Sequence, residues 1–496
     1  MPFESINAGI LSILPPVIAI ILAVITKEVI FSLMLGILSG TVIYSLFIGS
    51  GFFGMMALTM ELIIDKVSAN ADMLIFLALL GSLVAVITRA GGPAAYARWA
   101  IRRIKTAKGA GLTVSFLGLI LFIDDYFSCL CIGNVMRPIT DRHKIPREKL
   151  SYLIDTTAAP VSIIAPLSSW AAAVVSMLGA GGFETFLKTI PLNLYALLSI
   201  FMVFWLCIKK ESDYGSMVKI ITREPSSKEI DEIGSMEFSE RGKIFDLITP
   251  ILLLIVSSGF GMFYYGNNDA GKALALGAFI SLTAAFLMYI PRRLLSIKDF
   301  FYSMGLGIKS ISPALLILIL AWTISSVCHD LLSTGIYISE VFIRFNFPMP
   351  LLPMVFFITA CLLSFSTGTS WGTYGILIPI ALGITHNGDS VLVIITLSAI
   401  LGGGVFGDHS SPISDSTILS STASQCPHMD HVKTQLPYAL TAAAVCVMGY
   451  ILAGFTASLG YGISIIIMLI FSLGLLTAIL AVIPKLNRNN ERKVLS

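Results

Sequence analysis

The chain has 496 residues, 56% of them hydrophobic and 12% charged, with a mean hydropathy of +0.89, whereas a soluble globular protein carries roughly 25% charged residues. Residues 209–243 alone hold 15 of the 61 Asp, Glu, Lys and Arg residues, which leaves the remainder poorer still and excludes an ordinary cytosolic enzyme. The net charge of +3 argues for no nucleic-acid partner, because in so apolar a chain the placement of Lys and Arg records topology; the seven cysteines contain no CxxC pair and assign neither a redox centre nor a disulfide.

In chain order, apolar runs at residues 9–25 and 29–48 come first. No basic segment or small-residue cleavage site precedes them, so the first span is expected to remain in the mature protein. Further spans are centred near Gly81, Ser199, Val256, Phe279, Ile319, Val445 and Leu473. Runs such as 270–290 and 463–483 are long enough to cross a hydrocarbon core roughly 30 Å thick. Backbone groups facing lipid must be satisfied within each segment, so the expected fold class is an all-α polytopic membrane protein, with about eleven crossings in the lipid bilayer.

Two regions, 109–179 and 351–424, are longer and interrupted. Comparison of the halves at an offset of roughly 240 residues, as in a search for internal repeats, gives a matching order of features. Leu14-Pro15-Pro16 lies opposite Thr249-Pro250, Leu80 opposite Leu320, Met136-Arg137-Pro138-Ile139 opposite Leu377-Ile378-Pro379-Ile380, and Pro160-Val161-Ser162 opposite Pro412-Ile413-Ser414. Arg89, Arg98, Arg102, Arg103, Lys105 and Lys108 precede residues 109–139, and the segment from Arg137 to Lys149 at its other end carries Arg137, Arg142, Lys144, Arg147 and Lys149, which makes both flanks cytoplasmic. Only Arg344 flanks the corresponding segment of the second half.

These patterns predict an inverted structural repeat with two re-entrant helical hairpins and two broken transmembrane helices. The first repeat is expected at 1–208, with scaffold helices at 9–90, a hairpin at 109–139 and a broken helix at 150–179. A charged cytoplasmic linker at 209–243 follows. The second repeat is expected at 244–484, with a hairpin at 351–384 and a broken helix at 389–423, and a basic cytoplasmic tail occupies 485–496. The N-terminus is then outside a plasma or inner membrane and the C-terminus inside. The partners expected are the bilayer, a small ion or organic solute, and, compatibly with this plan, a second copy in a homodimer.

Four stretches set Gly, Pro, Ser, Thr or Asp within apolar sequence: Phe122 to Ser128, Asp155 to Ser162, Ser364 to Ser370, and Gly402 to Thr417. Pro160 and Pro412 cannot continue a helical ladder, so freed carbonyls and half-helix termini can face an ion. The donors are carboxylate, hydroxyl and carbonyl oxygens, which suit a hard cation such as Na⁺. An ionised Asp at the bilayer centre costs on the order of 3 kcal/mol, so Asp124, Asp125, Asp155, Asp408 and Asp415 need partners. A plainer role is open for several: Asp408 as the N-cap of the helix after Pro412, Gly402 to Gly404 as points of close helix approach, and His409 as a hydrogen-bonded structural histidine.

The run Gly407-Asp408-His409-Ser410-Ser411-Pro412-Ile413-Ser414-Asp415-Ser416-Thr417-Ile418-Leu419-Ser420-Ser421-Thr422, with Ser366-Thr367-Gly368-Thr369-Ser370-Trp371-Gly372 upstream, resembles the NhaC-type sodium/proton antiporter family. The resemblance is strongest over residues 351–440. It implies a broader ion-transporter superfamily of paired hairpins, often with an elevator-like transport domain, whose members also carry malate, lactate and other organic solutes. Asp408, Ser411, Pro412, Ser414, Asp415 and Thr417 match the motif directly, with Asp408 and Asp415 as Na⁺ candidates. Asp124, Asp125 and Thr156 follow through the repeat, Thr157 beside Thr156 is a further candidate, and Ser366, Thr367 and Thr369 lie at the second hairpin tip.

Two soluble-enzyme patterns are set aside. Gly368 to Gly372 fits GxSxG but sits inside an apolar segment. Gly266 to Lys272 fits GxxxxGK, yet Ala273 replaces the Ser or Thr that would hold Mg²⁺. The function expected is Na⁺/H⁺ exchange at a shared midplane site, without a cofactor and without enzymatic activity. The alternatives are cation-coupled movement of a small organic solute, with Ser and Thr hydroxyls, Arg137 or half-helix N-termini as anchors, and more distantly a channel or an intramembrane aspartyl protease.

Overall fold

A computed structural model describes residues 5–26, 28–93, 95, 104–179, 181–209, 212–221, 242–265, 270–334, 337, 344, 348–384, 390–412 and 414–495. Most of the expected linker and the basic positions Arg98, Arg102 and Arg103 lie outside the described residues. Every regular element among those described is helical. The α-helices are α1 (Leu14–Thr26), α2 (Val29–Ile48), α3 (Gly51–Ala69), α4 (Ala71–Arg89), α5 (Ala107–Ile120), α6 (Asp125–Arg142), α7 (Arg147–Ser162), α8 (Ser169–Leu178), α9 (Gly182–Thr189), α10 (Leu194–Ile208), α11 (Ser216–Ile221), α12 (Phe245–Tyr265), α13 (Ala270–Tyr289), α14 (Ile297–Ser326), α15 (Leu352–Thr367), α16 (Ser370–Ile384), α17 (Ser390–Ser410), α18 (Asp415–Ser424), α19 (His428–Thr456) and α20 (Tyr461–Leu495).

Among the described residues eight helices are long and apolar enough to cross a membrane, or nine if the pair Gly182–Leu192 and Leu194–Ile208, bent by 46°, counts as one span. This is fewer than the eleven crossings expected from hydropathy. Two of the expected spans are shorter apolar helices among the described residues, Gly9–Leu22 and Phe245–Gly261, and the hairpin segments expected at 109–139 and 351–384 stand outside the eleven. The chain is a multi-pass membrane protein. Its outer helices show lipid what a soluble protein would hide: Phe52, Phe53, Phe260, Ile466 and Ile470 are all exposed.

Two packed groups share one apolar core. In the first, α4 lies on α14 and α13, and α2 joins α1, α3 and α14. Gly81 and Gly307 make the α4–α14 crossing, since a Cβ on Gly307 would stand 2.1 Å from the Gly81 carbonyl oxygen. The second group gathers α5 to α8, α10 and α15 to α19 around α17. The window Val391–Ser410 is 83% buried against 22% for Tyr461–Ile483, so α17 is a central post and α20 a peripheral helix. Glycines allow this centrality. Gly402 faces Tyr195 and Tyr450, Gly403 the Phe357 carbonyl, Gly404 the Tyr374 ring, and Gly407 the backbone of Phe365 at 2.3 Å from where its Cβ would stand.

Candidate functional site

Four breaks interrupt the helices of the second group: 121–124 between α5 and α6, 163–168 between α7 and α8, 368–369 between α15 and α16, and 411–414 between α17 and α18. Their local causes differ. Gly368, with φ of +71°, closes α15 through its N–H on the Ser364 carbonyl. Ser168 caps α8 by accepting from the Ala171 N–H at 2.9 Å and donates to the Ser162 carbonyl at 2.6 Å. Pro412 lies within its break, whereas Pro160 lies inside α7, two residues before the helix ends. A proline near a helix C-terminus removes one ladder bond without forcing the stop at its own position.

The breaks come in two linked pairs. Ser162 Oγ donates to the Phe122 carbonyl at 3.2 Å, and the Ser169 N–H to the Ile123 carbonyl at 2.9 Å. In the other pair, Ser411 Oγ donates to the Phe365 carbonyl at 2.7 Å, and Ser364 Oγ to the Gly404 carbonyl at 2.7 Å. Trp170 of α8 and Trp371 of α16 join the pairs, with ring centroids 5.2 Å apart, and Tyr374 lies 6.1 Å from Trp170.

Asp408 sits in the last turn of α17 and is buried. Ser370 Oγ donates to its Oδ2 at 3.0 Å, and Ser414 donates to its Oδ1. Thr417 Oγ1 reaches the Asp408 carbonyl at 3.4 Å, and the Ser414 and Ser416 hydroxyls are 3.2 Å apart. The N-cap of α18 is Ser414, whose hydroxyl makes no cap bond; Asp408 does not take that capping role. Asp125, also buried, accepts from Trp170 Nε1 at 2.9 Å, and Asp124, half-buried, accepts from Ser169 Oγ at 3.0 Å. Asp415 is exposed and accepts from Tyr126 Oη at 3.3 Å. Asp124, Asp125, Asp408 and Asp415 all act electrostatically on the Tyr126 hydroxyl, and Asp125 feels both Asp124 and Asp408. Four carboxylates therefore share one neighbourhood, each met by its own hydroxyl or indole donor.

The hydroxyls expected to face an ion divide. Ser411, Ser414 and Thr417 lie at the break beside Asp408. Ser366 and Thr367 return their hydroxyls to the carbonyls of Leu362 at 2.7 Å and Leu363 at 2.9 Å, within their own helix. Thr369 accepts from the Trp371 N–H at 3.3 Å. Thr157 bonds the Leu153 carbonyl at 2.7 Å and lies against Gly118, where it fills a helix contact. Thr156 is buried beside Asp155. Arg137 points to the α18 C-terminus, with Nη1 3.4 Å from the Ala423 carbonyl. His409 is held at both ring nitrogens, by Tyr195 Oη and by Gln435 Nε2.

Sequence reasoning missed Ser370, Ser169, Trp170 and Tyr126. Ser370 was within reach as the last hydroxyl of the Ser364 to Ser370 run. Trp170 carried no local signal, because indole bonding to a carboxylate 45 residues away depends on tertiary placement. Among the described residues no group of three or more His, Cys, Asp or Glu side chains is placed to hold a metal ion. A cation at Asp408 would rest on one carboxylate with hydroxyl and carbonyl oxygens.

The model of the Na⁺/H⁺ antiporter family matches residues 180–455, which include α15 to α18 and all of the Asp408 surroundings on those helices. The chain belongs to the Na⁺/H⁺ antiporter family. It is 37% identical to an uncharacterized protein of Haemophilus influenzae over 92% of this chain and 93% of that one. It is also 28% identical to the malate-2H(+)/Na(+)-lactate antiporter of Bacillus subtilis over 36% of this chain and 43% of that one. Among solved structures, the YdaH transporter of Alcanivorax borkumensis shares the fold, with a TM-score of 0.56 at 12% identity over 82% of this chain and 89% of that one. Membership of the antiporter family makes the protein a secondary membrane transporter. The GxSxG pattern at Gly368 to Gly372 covers the break after α15 and the start of α16, so a helix and not a strand precedes it.

Proposed function

We propose that the protein exchanges Na⁺ for H⁺ at a shared site centred on Asp408. The observation that carries this reading is a buried carboxylate whose two oxygens are met by Ser370 and Ser414 at the meeting of α16, α17 and α18. Helix ends divide the carboxylates by task. Asp125 and Asp415 occupy the first turns of α6 and α18, where the positive helix end offsets a negative charge. Asp408 lies near a C-terminal end, where free carbonyls and the negative end of the helix favour a cation. An ionised Asp408 binds Na⁺ with surrounding hydroxyl and carbonyl oxygens; a proton on the same carboxylate removes the charge that Na⁺ needs. Competition of this kind is sufficient for exchange.

The wider reading places this site near the midplane of an inverted repeat. The first copy is 1–208 and the second 244–484, with 209–243 and 485–496 cytoplasmic, the N-terminus outside and the protein in the cell membrane. The two break pairs support it, for in each half a serine at the broken helix donates to a carbonyl near the hairpin turn, Ser162 to Phe122 and Ser411 to Phe365. In this reading α5 with α6 and α15 with α16 are re-entrant hairpins, and the second helix group moves past the first as an elevator. Assembly as a homodimer is part of the same proposal.

A second reading couples the cation to a small organic carboxylate. It is favoured by the N-termini of α6, α8, α16 and α18 at the breaks, which suit an anionic group, and by the likeness to a malate/lactate antiporter. Proteoliposomes loaded at fixed pH and challenged with Na⁺, alone and with malate, lactate or amino acids, separate the two. Na⁺-driven proton movement without an organic solute supports exchange of Na⁺ for H⁺. Proton movement that requires an organic solute supports the second reading and overturns the first.

A further inference from the structure

Asp155 lies in α7 away from the breaks and is completely buried. Its Oδ2 accepts from Gln435 Nε2 at 2.8 Å and from His431 Nε2 at 3.1 Å, both on α19. These two side chains are also fully buried. Among the described residues, three atoms of this trio have no hydrogen-bond partner: Asp155 Oδ1, Gln435 Oε1 and His431 Nδ1. In a neutral imidazole whose Nε2–H is given to a carboxylate, Nδ1 is an acceptor. All three unpartnered atoms are therefore acceptors, and one belongs to a carboxylate. Buried acceptors without donors are costly to a fold. His431 Nδ1 lies on the side of the ring away from Asp155, so the two oxygens, Asp155 Oδ1 and Gln435 Oε1, are the ones a single cation can serve, by taking lone pairs directly or by donating hydrogen bonds.

We infer that Asp155 and Gln435, positioned by His431, form an inner binding site for a compact monovalent cation, either Na⁺ or the primary ammonium head of an organic solute. The trio is separate from the Asp408 carboxylate and shares no hydrogen bond with it. It is nonetheless mechanically connected, because Gln435 Nε2 also donates to the His409 carbonyl and approaches His409 Nδ1 at 3.3 Å. His409 is the neighbour of Asp408 and is held from the other side by the Tyr195 hydroxyl. His431 Nε2 lies 3.1 Å from Ser420 Oγ, which donates to the Thr417 carbonyl at 3.1 Å. A cation on the trio thus draws on groups that hold the last turn of α17 and the body of α18.

The test uses the purified full-length protein in detergent and two probes offered separately, radiolabelled Na⁺ and radiolabelled methylammonium. Asp155→Asn is expected to abolish a class of binding sites for at least one probe, and Asp408→Asn is expected to keep that class. Gln435→Met, which retains side-chain length and the charge of Asp155, should weaken the same class about tenfold and keeps the test open if Asp155→Asn does not fold. Loss confined to Na⁺ assigns a metal cation, and loss confined to methylammonium assigns an amine head group. Wild-type stoichiometry and affinity for both probes in folded Asp155→Asn, or in Gln435→Met, overturns the inner site. Loss of all Na⁺ binding in Asp408→Asn, with Asp155→Asn unchanged for both probes, leaves the Asp408 reading standing and removes this one. Loss in Asp155→Asn with Asp408→Asn unchanged supports the inner site and tells against Asp408.

Discussion

At the first pair of helix breaks Ser162 donates to Phe122, and at the second Ser411 donates to Phe365, at 3.2 and 2.7 Å. The load each pair carries differs. The first sets two adjacent carboxylates, Asp124 and Asp125, at the turn between α5 and α6 and holds them with Ser169 and the Trp170 indole. The second sets hydroxyls at the turn between α15 and α16 and its carboxylate, Asp408, on the broken helix. The difference teaches that similar helix breaks provide the frame, while the position of the carboxylate along a helix decides what it can do. Asp125 starts a helix and has its charge offset by the helix end; Asp408 finishes one and does not.

The comparison is broken most severely by forcing the second pair apart. A Cβ on Gly407 would lie 2.3 Å from the Phe365 N and 2.5 Å from the Ser364 Cβ, so Gly407→Ala should cost about 1–3 kcal/mol by overpacking and lower thermal stability and transport together. Gly462 has nothing within 4 Å of its would-be Cβ, and Gly462→Ala should leave both unchanged. Equal behaviour of the two variants in a thermal-shift assay would contradict the packing described.

A smaller effect separates hydroxyls at the second tip. Ser370→Ala removes a donor to Asp408, whereas Ser366→Ala removes only a bond to its own helix. Apparent Na⁺ affinity in a flux assay should fall about tenfold for Ser370→Ala, as for loss of one hydrogen bond to a charged group, and stay unchanged for Ser366→Ala. The reverse order would place the ion at the turn rather than at α17.

These contrasts also show what the sequence could reveal. The breaks were legible because Gly368, Pro412 and the Asp and Ser residues near them interrupt apolar runs, and backbone disruption at membrane depth demands polar surroundings. The glycines at 402–404 were legible as close-approach positions, since three in succession leave three faces of one helix without side chains. Ser370 against Ser366 was not legible: the phase of a new helix after Gly368 decides which hydroxyl turns to Asp408, and composition is blind to phase. The Asp155, His431 and Gln435 trio joins residues 276 and 280 positions apart, so no local spacing announces it.

The central claim is that Asp408, near the end of α17, binds the exchanged cation, while Asp415, exposed at the start of α18 and bonded to Tyr126, does not. Na⁺-dependent proton flux in proteoliposomes, measured against Na⁺ concentration for folded Asp408→Asn and Asp415→Asn, tests it most directly. Loss of the carboxylate charge met by two hydroxyl donors should weaken apparent Na⁺ affinity of Asp408→Asn on the order of a hundredfold or abolish flux, with Asp415→Asn close to the parent. Parental Na⁺ affinity and rate in Asp408→Asn would contradict the account.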